Sequence, residues 1–572
     1  EPARSPPRPA ANRPPRPPCA ATVLNLVTSQ SRRVIVGRFF TAARHPRALT
    51  ACGSARSVVA ADSLIRGALV KSPAAIAGRV LASGVRPVQW PADVEGLFRR
   101  LSGRRGCVWL DSAGGPAALA RWSVLAAEPS AALVGRSGAT QVVAADGEII
   151  EESPRNPFEV LRSVLSALRI DGASSLPYGP GLYGYLSYDL APHVEAKAAL
   201  PPTADVPLPE MWLGLYETVL VLDHENRGAF VVGGGGPSRE AIDEALDAAA
   251  RRRAAAVKRR VSSSNVDARG LTPAARGAAC AAVRGVSCNM TPREFREGVA
   301  RAREYIAAGD IYQVNLSRRY TVALAAAPGP SAARWPDLYV RLRRANPAPY
   351  AAYLDVGEGR AVLSSSPELF LDLRGGRVVT RPIKGTRPLR AGDQEFNRRM
   401  REELAASAKD RAELVMIVDL ERNDLGRVAS YGSVRVTEPR AIEAYAAVYH
   451  TVATVEGRMH EGQDVVDLLK ATFPGGSITG APKVRAMQII AELEPTRRSV
   501  YTGAVGYVRP ASVSEPAGGC VLNIAIRTLL AAGDAVHIQV GGGIVADSDL
   551  EAEFQETSDK ARAMLAALGL SP

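Results

Sequence analysis

The pattern of apolar and polar positions predicts short strands and turns between residues 86 and 240. Residues 108–112 and 121–125 are predicted as two strands around a Gly-Gly turn. The apolar run 213–223 is predicted as a further strand. The Gly/Tyr-rich run 181–189 indicates a place where backbones approach closely.

A helix signal opens the second half of the chain. Thr291-Pro-Arg-Glu294 matches a capping box with proline at the first helical position. Apolar residues between Phe295 and Ile306 recur on one helical face, and Gly309 ends the pattern. Residues 311–317 follow as a predicted strand.

Composition changes along the chain. Residues 1–85 are rich in Arg, Pro, Ala and Ser, which fits a transit peptide, a disordered extension, or an upstream stretch wrongly translated from GC-rich DNA. Residues 86–240 form the strand-rich part. The Ala/Arg-rich stretch 241–288 is predicted as a solvated helix leading into a flexible linker, and residues 289–570 form the second half.

The basic charge of the chain is concentrated at its beginning. Residues 1–61 contain ten Arg and one acid, Glu1, and so carry +9 of the formal net charge of +13. The remaining residues carry only +4 and show no basic stripe with interleaved aromatics, so nucleic-acid binding is not expected. No apolar run approaches the ~18 residues of a membrane span. The six cysteines include no CxxC pair, which predicts a reduced, intracellular protein.

Four stretches of the second half carry candidate chemistry. They are Arg381-Pro-Ile-Lys384-Gly-Thr-Arg-Pro388, Glu413–Arg427, Phe473–Lys483, and Gly541–Ser548 with the following Glu553, Glu556 and Lys560. The last three residues are spaced i, i+3 and i+7, so on a helix they share one face.

Together, in this order, the four stretches resemble those of the chorismate-utilising enzymes. That family includes anthranilate synthases, aminodeoxychorismate synthases, and isochorismate and salicylate synthases. The resemblance covers residues 86–570 and implies an α+β fold, an anthranilate-synthase-like sandwich of two large antiparallel sheets with helices outside. Residues 86–240 would be the amino-terminal region and residues 289–570 the chorismate-binding catalytic domain.

The resemblance implies roles for the acidic residues. Glu413 and Glu556 match the family's magnesium ligands, and Glu553 matches an acid that holds metal-bound water. Carboxylates are the hard oxygen ligands that Mg²⁺ prefers. Glu368, in a Ser-rich turn, matches the general acid that protonates the departing hydroxyl.

Lys384 distinguishes branches of the family. Lysine at this position of Pro-Ile-x-Gly-Thr is the mark of aminodeoxychorismate synthases, where it would act as a nucleophile, whereas anthranilate synthases usually have alanine. Gln313 stands where the water-adding relatives carry a basic lysine, which disfavours that branch.

The remaining predicted site residues would bind the substrate. The resemblance assigns this role to a group from three of the four stretches and the segments between them: Thr386, His450, Gly476, Tyr507, Arg527, Gly542, Gly543 and Lys560. Leu110-Asp111-Ser112 is similar to the Leu-Glu-Ser element with which anthranilate synthases hold tryptophan, although Asp replaces Glu.

The function implied is amination of chorismate at ring carbon 4 for 4-aminobenzoate and folate synthesis. The alternatives are an anthranilate synthase and a non-catalytic chorismate- or tryptophan-binding regulator. No cysteine has the Gly-x-Cys-x-Gly setting of a glutaminase, so ammonia is expected from a separate glutaminase subunit. The expected location is the cytoplasm, or a plastid if residues 1–85 are a transit peptide.

Overall fold

Two twelve-stranded sheets, with helices on their outer sides, make up the fold. The computed structural model describes residues 76–570, except residues 77, 117, 173–174, 263–281 and 327–333. The predictions for residues 1–75 lie outside the described residues. The helices of the described part are α1 (Val94–Leu101), α2 (Pro157–Ala167), α3 (Pro237–Ser262), α4 (Pro292–Ala307), α5 (Trp335–Ala345), α6 (Gln394–Ala406), α7 (Ala408–Gly426), α8 (Val465–Thr472), α9 (Lys483–Leu493) and α10 (Leu550–Ala567).

The strands are short and numerous, as the alternating patterns predict. In chain order they are β1 (Val80–Ala82), β2 (Val85–Val88), β3 (Val108–Asp111), β4 (Trp122–Ala126), β5 (Ala131–Arg136), β6 (Ala139–Ala144), β7 (Ile149–Ser153), β8 (Arg169–Asp171), β9 (Gly181–Leu186), β10 (Met211–Tyr216), β11 (Thr218–Asp223), β12 (Gly228–Gly233), β13 (Val283–Cys288), β14 (Gln313–Leu324), β15 (Tyr350–Asp355), β16 (Arg360–Ser366), β17 (Leu369–Arg374), β18 (Arg377–Arg381), β19 (Ile383–Pro388), β20 (Arg435–Ala444), β21 (Val448–Arg458), β22 (Gly480–Ala481), β23 (Ala504–Arg509), β24 (Gly519–Ile524), β25 (Thr528–Ala532) and β26 (Ala535–Ile544).

Each large sheet takes strands from both halves of the chain. Sheet I has the order β19-β21-β18-β17-β24-β23-β9-β10-β5-β6-β7, with β20 paired to β21. Sheet II has the order β13-β14-β26-β25-β16-β15-β3-β4-β11-β12-β2, with β22 paired to β14. Neighbouring strands in these two sheets pair antiparallel, and the separate pair β1–β8 is parallel. The predicted sandwich of two antiparallel sheets is confirmed.

Three apolar layers hold the sheets and helices together. One layer lies between the sheets and joins, for example, Val124 of β4 to Tyr185 of β9. The outer face of sheet I packs on α2, α7 and α8. The outer face of sheet II packs on α1, α5 and α10. Burial of apolar area on both faces of each sheet is the main force that assembles the fold.

The predicted helix after residue 291 is confirmed in detail. The Thr291 hydroxyl accepts from the backbone N–H of Glu294, the Glu294 carboxylate accepts from the backbone N–H of Thr291, and Gly309 follows the helix with φ +82°.

In contrast, the prediction of a single strand over 213–223 is wrong. The chain changes sheet at Glu217, so β10 belongs to sheet I and β11 to sheet II. Both strands are buried on both faces, and their uninterrupted apolar sequence therefore hides the crossing.

The predicted linker contains more regular structure than expected. Helix α3 is present, but its first turns bury Ala241 and Ile242 against the outer face of sheet II, so that end is not solvated. Val283–Cys288 forms the edge strand β13, paired with β14. No helix in the described part is long and apolar enough to cross a membrane.

Candidate active site

The Pro-Ile-Lys-Gly-Thr motif forms a bulged strand at the edge of sheet I. Thr386 of β19 lies opposite His450 of β21, and Oγ1 of Thr386 is 3.0 Å from Nδ1 of His450. Gly385 has φ +78°, and a Cβ on it would be 2.8 Å from Oγ1 of Thr451. Glycine is therefore required at this bulge. The bulge sets the directions in which Lys384 and Thr386 leave the strand.

The side chain of Lys384 reaches the end of β26 in sheet II. A Cβ placed on Gly543 would lie 3.4 Å from Nζ of Lys384, so the missing side chain of Gly543 leaves room for the amine. Three carboxyl groups interact electrostatically with the lysine, those of Glu368, Glu413 and Glu556. The structure thus brings the predicted nucleophile together with the predicted acids.

Glu368 lies where the chain passes from β16 in sheet II to β17 in sheet I, and it is 5% exposed. Oγ of Ser477 donates to its Oε1 at 2.7 Å, and the backbone N–H of Ile383 donates to the same carboxyl group. Burial raises the pKa of Glu368 above its ordinary value, although the Ser477 hydrogen bond and the charge of Lys384 oppose the rise. A carboxyl group with a raised pKa is suited to donate a proton.

Helix α10 presents its acids beside the end of β26. Oε1 of Glu556 is 2.7 Å from Nζ of Lys560, which also donates to the carbonyl oxygen of Gly541 at 2.8 Å. This ion pair lowers the pKa of Glu556. Glu553 is buried and accepts a hydrogen bond from Oγ of Ser548 at 2.7 Å. Burial raises the pKa of Glu553, and the charge of Glu556 adds to the rise.

Glu413 faces this group from α7, which packs against β19. Its side chain is 16% exposed, and its Oε1 is 4.0 Å from Nζ of Lys409. Burial raises the pKa of Glu413, and the charges of Lys384 and Lys409 oppose the rise. The like charges of Asp410 and Glu556 reinforce it. Helices α7 and α10 therefore place carboxylates that repel one another in the same part of the site.

The donor set fits a hard divalent cation. Glu413, Glu553 and Glu556 supply carboxylate oxygens, the ligands that Mg²⁺ prefers, and a cation would relieve their repulsion. Oε2 of Glu553 and Oε1 of Glu556 lie 3.0 and 3.8 Å from a Cβ placed on Gly542, so a larger residue there would crowd the Glu553 carboxylate. Across the residues that the structure describes, no three acidic, His or Cys side chains converge closely enough to bind an ion as they stand.

Arg527 lies where the chain returns from sheet I to sheet II, between β24 and β25. Its φ of +53° is a left-handed conformation that non-glycine residues rarely adopt. Burial lowers the pKa of its guanidinium group, and the phenol of Tyr501 and the carboxylate of Glu556 act in the opposite direction. A guanidinium group in this setting is suited to bind a ligand carboxylate.

Tyr507 does not join this group. Its ring stacks on Tyr183 with centroids 4.5 Å apart, in the apolar layer between the sheets, and its hydroxyl donates to the carbonyl oxygen of Pro180 at 3.2 Å. The tyrosine that interacts with Arg527 is Tyr501, at the other end of the Tyr501-Thr-Gly-Ala-Val-Gly-Tyr507 segment. The difference arises because Tyr501 precedes β23, whereas Tyr507 lies within the strand and faces the core.

His450 is a buried neutral imidazole. It is 4% exposed, and burial lowers its pKa to about 3, with further lowering by the charges of Arg527 and Lys560. Its Nδ1 lies 3.0 Å from Oγ1 of Thr386 and 3.3 Å from the carbonyl oxygen of Gly385. Because it stays uncharged at neutral pH, His450 can exchange hydrogen bonds with a ligand but cannot supply a positive charge.

The turn that contains Gly475 and Gly476 holds Ser477 against Glu368. A Cβ on Gly476 would be 2.6 Å from Cδ2 of Leu420, and one on Gly475 would be 2.8 Å from Cδ1 of Ile524. The glycines therefore let the turn pack directly on α7 and β24. Helix α9 begins after this turn, at Lys483. A carboxylate-binding role for the Gly476 amide stays a prediction.

The side-chain amide of Gln313 lies beside Gly543, as does the amine of Lys384. It is fully buried at the start of β14, and within the described residues neither its Nε2 nor its Oε1 has a hydrogen-bond partner. Its Nε2 lies 3.1 Å from a Cβ placed on Gly543. Buried amides are normally hydrogen-bonded, so this one is placed to meet a ligand or water. An amide cannot act as a base toward water.

Comparison with known proteins agrees with this arrangement. The family model described as chorismate binding enzyme matches residues 106–566. The chain belongs to the chorismate binding enzymes.

Named relatives of this chorismate binding enzyme include both aminating kinds. Anthranilate synthase component 1 of Streptomyces coelicolor is 43% identical over 424 residues, covering 73% of this chain and 78% of that protein. Aminodeoxychorismate synthase component 1 of Klebsiella aerogenes is 38% identical over 493 residues, covering 85% and 99%. The crystal structure of anthranilate synthase component I from Streptococcus pneumoniae superposes with a TM-score of 0.62 at 30% identity, covering 78% and 92%. The chain is thus a chorismate-utilising enzyme of the anthranilate or aminodeoxychorismate synthase type.

The predicted tryptophan element lines a cavity of this chorismate binding enzyme. Leu110, Asp111 and Ser112 border a cavity of about 180 Å³ between the sheets. The Asp111 carboxylate is already engaged, because Nε of Arg343 donates to its Oδ2 at 2.6 Å and the hydroxyl of Tyr339 at 3.2 Å. Asp111 therefore holds α5 against β3, and tryptophan binding stays a prediction.

Several residues near the site were not predicted from the sequence. Tyr501, Ser477, Lys409 and Asp410 contact or interact with predicted site residues. Ser477 lies in the stretch Phe473–Lys483. Its position directly after Gly475 and Gly476 is the only local feature of the sequence that could have indicated a role in the site. Lys409 and Asp410 precede Glu413 by about one helical turn, so the 3.6-residue period places them on its side of α7.

Proposed function

We propose that the chain is the synthase component that aminates chorismate at ring carbon 4 and yields 4-amino-4-deoxychorismate, the precursor of 4-aminobenzoate in folate synthesis. The observation that carries the proposal is the position of Lys384. Its amine lies beside Gly543 and interacts with Glu368, Glu413 and Glu556, within the predicted set of acids. The match to aminodeoxychorismate synthase component 1 of Klebsiella aerogenes, which covers 99% of that protein, also supports the proposal.

The proposed chemistry consists of two displacements. Glu368 gives its proton to the hydroxyl on carbon 4, and this oxygen leaves as water while the free amine of Lys384 bonds to carbon 2. Ammonia then bonds to carbon 4, and the bond between carbon 2 and Lys384 breaks. The amine of Lys384 leaves with the electron pair of that bond and is uncharged again. The proton lost from the new ammonium group on carbon 4 returns to the Glu368 carboxylate, so no further reactant is needed.

The cationic and polar residues around Lys384 would bind the substrate. Arg527 and Lys560 would neutralise the carboxylates of chorismate, and Tyr501 and the Thr386–His450 pair would contact its polar edge. Glu413 and Glu556 would hold Mg²⁺, with Glu553 beside them. The ion would supply a positive charge that binds a substrate carboxylate.

Ammonia would come from a partner. The relatives carry component names, and no cysteine of this chain lies in a glutaminase motif. We therefore propose a separate glutaminase subunit. Alone, the chain would use ammonium salts.

Product analysis tests the proposal directly. The purified chain is given chorismate, Mg²⁺ and ammonium, and the products are separated by chromatography with and without an added aminodeoxychorismate lyase. We expect 4-amino-4-deoxychorismate, and 4-aminobenzoate when the lyase is present. Anthranilate as the main product would refute the assignment.

A second experiment examines the nucleophile. Intact-protein mass spectrometry after quenching with chorismate in the absence of ammonia should reveal a covalent adduct. Lys384→Ala should lack the adduct and most of the product, and its residual product should shift toward attack at carbon 2. Lys470→Ala is the matched control, because Lys470 pairs with Glu159 on α2, away from the site. An adduct of equal yield in Lys384→Ala would exclude this lysine.

An anthranilate synthase is the second candidate. The Streptomyces coelicolor relative, at 43% identity, and the Streptococcus pneumoniae structure favour it. Water addition is disfavoured because Gln313 cannot act as the required base. A non-catalytic regulator is also disfavoured, since the candidate acids Glu368, Glu413 and Glu556 are all retained and face Lys384.

A further inference from the structure

A buried arginine lies beneath the helix that carries three of the candidate site residues. Arg318 of β14 is 3% exposed and contacts α10. Two nearby arginines have acidic partners, since Arg319 pairs with Asp205 and Arg296 of α4 pairs with Glu551 at 2.7 Å. In the part of the chain that the structure describes, no carboxylate forms such a pair with Arg318. The neutral groups around this guanidinium group must therefore satisfy its donors.

The donors of Arg318 are directed at side chains of α10. Its Nε donates to Oγ1 of Thr557 at 2.9 Å, and its Nη2 donates to Oγ of Ser558 at 2.8 Å. Both hydroxyls in turn donate to the carbonyl oxygen of Phe554, at 2.7 and 3.1 Å. The guanidinium carbon of Arg318 is also 4.2 Å from the centroid of the Phe554 ring, a favourable cation–π contact. One side chain of sheet II thus binds three residues within little more than one turn of α10.

The residues that Arg318 contacts alternate along α10 with the three site residues of this helix, which are Glu553, Glu556 and Lys560. Successive residues of a helix are about 100° apart around its axis. The centre of the contacted set therefore lies about 120° around the helix from the centre of the site set. Arg318 holds one side of α10 while another side presents the acids to the site. Any rotation of the helix that moved the acids would also break the contacts of Arg318.

The placement of the acids is sensitive to such a rotation. Oε2 of Glu553 lies 3.0 Å from a Cβ placed on Gly542, so this carboxylate is already close to the backbone of β26. Side-chain ends lie about 5–6 Å from a helix axis, so a rotation of about 10° would move a carboxylate by about 1 Å. Mg²⁺ requires oxygen ligands at about 2.0–2.1 Å in near-octahedral geometry. A displacement of this size would therefore weaken its binding.

We propose that Arg318 is a positioning residue that fixes the rotation of α10 and thereby places Glu553 and Glu556 for Mg²⁺. It acts through the helix and does not itself bind the ion or the substrate. The proposal rests on the proposed metal role of Glu413 and Glu556. An apolar side chain in place of Arg318 would still fill the space beneath α10. It would leave the rotation of the helix less strictly determined, because core substitutions reduce structural uniqueness before they reduce stability.

Binding of Mn²⁺ tests the proposal without turnover. Carboxylates bind Mn²⁺ as they bind Mg²⁺, and electron paramagnetic resonance measures the free ion. The full chain is titrated with Mn²⁺ in the presence of chorismate and the absence of ammonium. Arg318→Met should bind Mn²⁺ roughly tenfold more weakly than the wild type, as is typical when groups that orient metal ligands are removed. Its melting temperature should stay near the wild-type value, because the hydroxyls of Thr557 and Ser558 keep their bonds to the Phe554 carbonyl oxygen.

Two further variants frame this result. Thr557→Val removes one acceptor of Arg318 on the helix and keeps the side-chain shape, so it should weaken Mn²⁺ binding in the same direction by a smaller factor. It replaces Arg318→Met if that variant does not fold. Arg562→Met is the matched control, because Arg562 is on the same helix with a side chain 58% exposed and pairs with Asp559. This control should bind Mn²⁺ as the wild type does.

Wild-type affinity for Mn²⁺ in the folded Arg318 or Thr557 variant would overturn the proposal. Glu556→Gln distinguishes this failure from a failure of the metal site, since it removes a proposed ligand and should bind Mn²⁺ far more weakly. If Glu556→Gln binds as the wild type does, the metal role is refuted and the positioning role with it. The identity of the product decides the branch of the proposed function separately, because Mn²⁺ binding is measured whichever product forms.

Discussion

Neutralising Glu494 should destabilise the protein and disturb the site at the same time. Glu494 and Arg498 are 1% and 0% exposed, and the guanidinium group of Arg498 donates to both carboxylate oxygens, at 2.7 and 2.9 Å. Arg498 also donates to the carbonyl oxygens of Ile478 at 3.1 Å and Asn315 at 2.7 Å. In Glu494→Gln the charge of Arg498 stays buried with only neutral partners.

The expected cost follows from this geometry. Breaking one side of a fully buried, doubly bonded ion pair destabilises a protein by about 3–5 kcal/mol. The unfolding entropy is about 2.1 cal/mol/K per residue, which over the roughly 460 residues from 106 to 566 gives about 1 kcal/mol/K. The melting temperature should therefore fall by about 3–5 °C.

Differential scanning calorimetry at a fixed scan rate measures this shift. Glu402→Gln is the matched control, because Glu402 and Arg398 form an ion pair of the same i, i+4 spacing on the surface, with side chains 62% and 66% exposed. Such a pair contributes at most about 0.5 kcal/mol, so its loss should move the melting temperature by less than about 1 °C.

Activity provides a second measurement on the same variant. Ile478 follows Ser477, the hydrogen-bond donor to Glu368, and Asn315 pairs with Gly543 beside Lys384. Below its melting temperature, Glu494→Gln should therefore have a lower kcat than Glu402→Gln. If Glu494→Gln melts at the wild-type temperature, the charge of Arg498 is compensated in some other way and the reasoning fails.

Three further predictions concern the metal, the nitrogen source and acid stability. Glu413→Gln and Glu556→Gln should each abolish turnover while leaving the melting temperature near that of the wild type, and full activity of either at limiting Mg²⁺ would exclude the metal site. The chain alone should turn over with ammonium but not with glutamine, and glutamine-dependent product from the rigorously purified chain would contradict this. Burial holds the pKa of His537 at about 4, below the ordinary value of 6.5, so the unfolded chain binds the extra proton and stability falls as pH drops from 6.5 to 4. The loss is up to about 3 kcal/mol, and His537→Gln should flatten the dependence of melting temperature on pH in that window.

Local signals predicted the parts of the fold that depend on neighbouring residues. The start of α4 could be read from Thr291 and Glu294 because a capping box satisfies backbone donors within one helical turn. The sheet change at Glu217 could not be read, because the apolar run continues through β10 and β11 and both strands are buried on both faces. Which sheet a strand joins depends on contacts with residues far away in the sequence.

The predictions of site residues also divide into those that follow from local spacing and those that depend on distant packing. Glu553, Glu556 and Lys560 share a helical face, so their proximity follows from spacing alone. The choice between Tyr501 and Tyr507 depends on where β23 begins, and a difference of one element boundary moves the ring from the site to the core. Glu421 is 8% exposed, and its burial follows from the packing of α7 rather than from any local signal in the sequence.

Overall identity is a weak guide to the branch of this family, and the site gives a physical reason. Under the proposed function, both kinds of synthase bind the same substrate carboxylates and protonate the same hydroxyl, so Glu368 and Arg527 would serve either reaction. What differs is the ring carbon left open to ammonia. A lysine that reaches carbon 2 closes that position by bonding to it, and a short side chain leaves it open. Because this difference resides at position 384, similar overall sequence identity to relatives of both kinds is expected. The product that Lys384→Ala forms therefore distinguishes the two branches better than either sequence identity does.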